Sequence, residues 1–263
     1  LGKGGAVVAL LYALVSLYVQ TESLMRFNNF VSTALTPDMP LLILCIALVV
    51  AAFLAALHGL QSLARAATLI AIAVVGAIVF VCVALIPEME GACFPPVLYD
   101  GFSPVLAGAL EELPRSLEIV TIGMLLPYVK GSVVKGYAGW TLLFTAAIVI
   151  VQVSVAGVLG DYGGIVLYPY YTAVTAARIG VLERVDIIAT TVWLAALFIK
   201  MAFFAMLYMS CMQRIFGRDK KLIYAIVGAV LILLPGMLLD HTPLHPERAF
   251  FWVASPIVMA FCA

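Results

Sequence analysis

The chain has 263 residues, of which 65% are hydrophobic and 11% charged, and its formal net charge at pH 7 is zero. So little polar surface cannot cover a soluble domain, and lipid must be the solvent for most of the chain. No Lys/Arg-rich run supplies the concentrated basic surface that a nucleic-acid partner needs, so none is expected.

Apolar runs of about the 20 residues a spanning helix requires recur between short polar joints, which predicts an all-α membrane protein. In chain order the first three runs are residues 5–33, 40–57 and 64–85. A water-facing loop over 87–102 follows, with Glu88, Glu90, Asp100 and the pair Pro95 and Pro96. The run 103–129 is broken internally. After Lys130 and Lys135 come 137–159, then a Tyr-rich amphipathic stretch at 168–179 that reads as interfacial. A second very long run, 186–216, precedes 222–239 and 249–263.

These make about eight segments. Placing their joints alternately on two sides collects Lys3, Arg65, Lys130, Lys135, Arg214, Arg218, Lys220 and Lys221 on one side. The other receives Asp38, Glu88, Glu90, Asp100, Asp161, Glu183, Asp186, Asp240 and Glu247. The Lys/Arg-rich side is therefore expected to be cytoplasmic. Arg178, Arg184 and Arg248 depart from the pattern, Arg184 having Glu183 and Asp186 within reach. The absence of an initial Met and the stop inside an apolar run read as a piece of a longer protein.

The broken segment carries the charges that a membrane tolerates least. It reads Glu111, Glu112, Leu113, Pro114, Arg115, Ser116, Leu117, Glu118 near the middle of its span. Each charge at a helix centre costs roughly 2.5 to 3.5 kcal/mol, so such groups face protein or a water-filled cavity. Pro114 has no amide to donate and disfavours helix at Leu113, so the chain can unwind and restart there. A restarted helix presents free amides and a positive dipole end, beside Arg115, which suits a carboxylate. Three readings stand open: a discontinuous helix lining a ligand or ion site, a kinked helix whose Arg115 neutralises Glu111 or Glu118, or a span placed so that Glu111 and Glu112 lie at the outer surface.

Lys200 is the single charge between Asp186 and Arg214. Helical spacing puts Trp193, Ala196, Leu197, Phe203 and Phe204 on its face, which is expected to look inward, toward a midplane carboxylate or a coupling site. Glu22 has Arg26 one turn away and reads as a local pair or a further ion-site residue. Gln152, Ser154, Thr190 and Thr191 read as interhelical hydrogen-bonding groups. Five cysteines, Cys45, Cys82, Cys93, Cys211 and Cys262, show neither metal spacing nor a disulfide framework. His58, His241 and His245 lie in loops without catalytic spacing, so no enzyme activity, metal or cofactor is expected.

The two runs of about 30 residues, 5–33 and 186–216, each with internal charge, fit the corresponding members of an inverted repeat. The first repeat would then hold residues 1–102 and the second 103–263, in a single transmembrane domain truncated at its N-terminus.

Tyr168, Pro169, Tyr170, Tyr171 and then Ile179, Gly180, Val181, Leu182, Glu183, Arg184, Val185, Asp186 closely resemble a segment of the spore germination permease family. These are the B subunits of germinant receptors. Trp193 through Lys200, and Leu117, Glu118 through Leu125, Leu126, Pro127, Tyr128, Val129, Lys130, agree with it. Leu117, preceded by Ser116, stands where many relatives carry a Gly just before the glutamate matching Glu118.

The resemblance implies a ten-helix fold of the amino acid, polyamine and organocation transporter superfamily, of which this chain holds the third to tenth helices. It also implies a nutrient sensor of the spore inner membrane, working with A and C subunits and an amino-acid-type ligand. Glu111, Pro114, Arg115, Ser116, Glu118 and Trp193 become the expected ligand residues. Lys200 and Glu22 become the expected ion-site or coupling residues, Lys200 standing where sodium-coupled relatives bind a cation. A proton-coupled permease and a ligand-gated ion conductor remain alternatives on the same fold.

Overall fold

The computed structural model describes residues 3–35, 41–94, 101–112, 122–128, 131–177, 184–217 and 219–238. No Pro, and no Gly beyond Gly5, interrupts α1 (Lys3–Phe30), which winds without a break. It passes into one wider π turn, Val31–Leu35. There the Asn29 carbonyl accepts from the hydroxyls of both Ser32 and Thr33, drawing it out of the regular ladder.

Two residues, His58 and Gly59, separate α2 (Leu41–Leu57) from α3 (Leu60–Leu85). Gly59 turns the chain at φ +87°, a conformation that side chains resist. α3 therefore begins four residues before the expected start at Ala64, because the turn needs only that glycine and Gln61, Ser62 and Leu63 are free to helicate. Short 3-10 turns, Ile86–Glu88 and Gly91–Cys93, follow.

Beyond them come α4 (Ser103–Glu112) and the single turn α5 (Ile122–Leu125). α6 (Val133–Leu159) is N-capped by Ser132, whose hydroxyl accepts from the Lys135 amide at 3.4 Å. Lys135 thus lies in the first turn of α6 and not in the joint expected before it. α7 (Pro169–Ala176) is the Tyr-rich stretch, opened by a proline that needs no amide partner there. α8 (Asp186–Phe216) has the expected bounds, and α9 (Lys221–Leu238) follows a turn at Gly217, φ +104°.

Among the described residues there is no strand. Four helical segments are long and apolar enough to cross a membrane: Gly4–Leu35, Leu60–Glu88, Val133–Gly164 and Asp186–Phe216. Leu41–Leu57 and Lys221–Leu234 are shorter apolar helices. The expected last run, 249–263, lies outside the described residues.

The chain divides into two compact units. The first gathers Leu1–Arg65, Val105–Leu125 and Leu197–Ala263. Within it α1 packs on α2 and α9, and α2 on α9. Val49, Ala52 and Phe53 of α2 are buried with Met201, Ala205 and Tyr208 of α8 and Ile232 of α9. Phe53 and Tyr208 meet edge to face at 6.5 Å. A Cβ at Gly228 of α9 would stand 2.6 Å from the Tyr208 ring and 2.8 Å from Phe53, so bare backbone is what lets α9 settle there. The Lys221 ammonium donates to the Leu57 carbonyl at 3.4 Å, occupying an orphan acceptor at the end of α2.

The second unit holds Ala66–Pro104 and Leu126–Ala196. Its core joins Val81 and Leu85 of α3, Val155 of α6, Ala173 and Val174 of α7, and Val185. The loop after α3 crosses the end of α6, where the Glu90 amide donates to the Gly157 carbonyl at 3.0 Å. Phe94 and Met89 would touch a Cβ at Gly157 at 2.9 and 3.0 Å, and Cys93 leans on Gly160. Burial raises the Tyr170 hydroxyl, with help from the nearby Cys82, to about 12.

Candidate functional site

The charged stretch begins where α4 closes: Glu111 and Glu112 are its last two residues. Pro114, Arg115, Ser116 and Glu118 lie outside the described residues, as does the expected break between residues 112 and 116. The chain is described again from α5, whose Gly123 lies against α1. A Cβ on Gly123 would be 2.9 Å from the Tyr12 hydroxyl.

On α1 the structure brings Glu22 and Arg26 together as an ion pair one turn apart. The local pairing read from their spacing is therefore present. Tyr18 is partly buried against the core of the first unit.

On α8, Lys200 is half-buried, and its neighbours Leu197, Met201, Ala202 and Phe204 are buried. Phe203 and Phe204 stand edge to face at 5.5 Å. Of the face expected to look inward, Leu197 and Phe204 are buried and Phe203 is partly buried, whereas Trp193, one turn before Leu197, is 38% exposed. At the start of the helix Asp186 is buried, and Arg184 reaches it at 3.4 Å, one of the two partners expected for that arginine.

The expectation of interhelical hydrogen bonds from Ser154 and Thr191 is corrected. The Ser154 hydroxyl donates to the Ile150 carbonyl at 2.9 Å and that of Thr191 to the Ile187 carbonyl at 2.7 Å, each within its own helix. A carbonyl one turn back is already within reach of such a short side chain, and no neighbouring helix has to supply an acceptor.

Sequence reasoning also passed over a run of polar side chains that α1 buries: Ser16, Gln20, Thr21, Ser23 and Asn28. Asn28 meets the buried Cys45 thiol of α2 at 3.9 Å. Tyr12, Ser16, Gln20 and Ser23, spaced four, four and three residues apart, carried the signal, since that spacing marks one helical face. Among the described residues no group of three or more His, Cys, Asp or Glu side chains gathers to hold a metal. Cys45, Cys82, Cys93 and Cys211 are all free thiols.

Residues 3–242 match the family model described as spore germination protein. No curated protein and no solved structure matches the chain.

Proposed function

The chain belongs to the spore germination protein family, and from that premise we propose that it is the nutrient-sensing membrane subunit of a spore germinant receptor. The family match over nearly the whole chain carries this reading, and the long apolar helices and the charged stretch 111–118 support it. Its place is the spore inner membrane, beside A and C subunits, and its ligand is an amino-acid-type nutrient.

In this reading the chain unwinds at Pro114 and restarts as a half-helix. The free amides of that N-terminus and the Arg115 guanidinium receive the nutrient's carboxylate. Glu118 or Glu111 faces its ammonium, while Ser116 and Trp193 complete the contacts. Lys200 contributes a fixed positive charge in place of a bound cation, so germination needs no sodium, and Glu22 belongs to the same coupling network.

Spores carrying Glu118→Lys should lose the germinant response at normal abundance of the subunit. A normal dose response at that abundance would refute the assignment. Lys200→Met should separate nutrient binding from germination, and wild-type germination kinetics at wild-type abundance would rule its role out. Accumulation of a labelled amino acid by the reconstituted full-length protein would instead favour a working permease.

A further inference from the structure

The polar face of α1 is built as an acceptor. Ser16 and Gln20 stand one turn apart, with Ser23 a turn further on, so the three share one stripe of the helix. Gln20 occupies the midpoint of the apolar segment Gly4–Leu35 and is 0% exposed. Each of the three side chains gives a donor to a carbonyl of α1 itself. Ser16 Oγ donates to the Tyr12 carbonyl at 2.8 Å, Gln20 Nε2 to the Ser16 carbonyl at 3.1 Å, and Ser23 Oγ to the Val19 carbonyl at 2.7 Å.

These bonds fix the amide, because turning it over would set Oε1 against the Ser16 carbonyl, acceptor to acceptor. Gln20 Oε1 is fully buried, and among the described residues no group donates to it. An amide oxygen enclosed at this depth is strongly disfavoured unless a donor reaches it. The stripe's remaining acceptors are the Gln20 oxygen and lone pairs on the Ser16 and Ser23 hydroxyls, beside the second hydrogen of Gln20 Nε2.

Charge decides what kind of donor fits. Glu22, the nearest carboxylate on α1, is ion-paired with Arg26 and stands two residues from Gln20, a spacing that turns it to another face. A cation on the stripe would be buried without compensation from α1, whereas a neutral donor carries no such penalty. We propose that α1 holds a buried site for a small neutral hydrogen-bond donor, a water molecule, bound by Gln20 Oε1 and a serine hydroxyl oxygen one turn away. Two polar partners on one face are the minimum that an internal water requires. The site does not depend on the nutrient-sensing reading, because it stands in the protein without any nutrient.

X-ray hydroxyl-radical footprinting of the full chain in nanodiscs tests it, since radicals born from a bound water label the side chains beside it. Leu24 and Phe27 are buried and follow Gln20 on its side of the helix, while Phe53 and Ile232 are buried in the apolar core. In sodium chloride, Leu24 and Phe27 should be labelled several-fold above Phe53 and Ile232. The excess should vanish in Gln20→Leu, which keeps a side chain of similar bulk and removes the amide acceptor without adding a radical-scavenging sulfur. No excess in the wild type, or an excess that survives the substitution, overturns the site. Loss of the wild-type excess when ammonium chloride replaces sodium chloride overturns the neutral donor in favour of a cation. The wild-type arm decides by itself should the variant fail to fold.

Discussion

α1 and α6 are of nearly equal length, 28 and 27 residues, and both are long and apolar enough to span, yet they are held in different ways. α1 buries residues along its whole course, from Ala9 and Ala13 through Ser16, Gln20 and Leu24 to Phe27 and Phe30. α6 buries only Ser154, Val155 and Gly157, all near its end, and exposes Val134, Trp140, Leu142 and Phe144 in its first half. The difference teaches that hydropathy selects helices that can cross, while the polar residues of a span show which of them are enclosed by protein. In lipid an apolar side chain gains nothing by leaving hydrocarbon, so packing and polar satisfaction decide which faces meet.

Glycine substitutions break the comparison most sharply. Gly228→Ala should destabilise the protein by about 1–3 kcal/mol, because its Cβ meets two aromatic rings locked edge to face. The midpoint of thermal unfolding in detergent should fall, and an unchanged midpoint would mean that α9 does not depend on that close approach. Gly157→Ala should cost about 1 kcal/mol, since Phe94 and Met89 are side chains that can yield. Its clearest mark should be faster hydrogen exchange at the Glu90 amide, as the loop lifts from the end of α6.

A paired substitution sharpens the contrast at the other helix. Gly123→Ala should disturb α1 because of the Tyr12 hydroxyl, and Tyr12→Phe in the same protein should restore most of the loss. Equal unfolding midpoints for the single and double variants would show that the hydroxyl is not what α5 meets. Gly139→Ala on α6 has open space around it and should be neutral, or stabilise by up to about 1 kcal/mol through helix propensity.

The smallest effect concerns pH. Tyr170 is held above its ordinary value, so its neutral form is favoured in the folded protein. The contribution is complete below pH 10 and is lost as pH rises toward about 12. Tyr170→Phe should flatten that alkaline limb of stability while leaving the midpoint at pH 7 nearly unchanged.

The four long spans were legible in the sequence because an apolar run of about 20 residues has few other readings. α8 has the bounds its hydropathy suggested, and α3 differed only where Gly59 supplied a tighter turn than the polar residues implied. Faces were less legible. Arg26 and Asp186 found the partners their neighbours offered, because pairs one turn or two residues apart are local. Ser154 and Thr191 did not follow expectation, since a hydroxyl on a helix is satisfied by its own backbone and leaves no mark in the sequence of doing so. Ser16, Gln20 and Ser23 escaped because charge drew attention to Glu22, Arg26 and Lys200, whereas an uncharged stripe shows only in its spacing.

The bond from Lys221 to Leu57 has a bearing on biosynthesis. It joins residues 164 positions apart, and it sits where α9, packed on both α1 and α2, closes the first unit. The segments of the second unit have all been made once Ala196 has left the ribosome, but the first unit still waits for its third segment, Leu197 onward. α1 must therefore enter the membrane with Ser16, Gln20 and Ser23 before the helix that helps cover it exists. Their habit of bonding back to their own carbonyls gives these side chains shelter during that interval, when neither lipid nor a neighbouring helix can satisfy them.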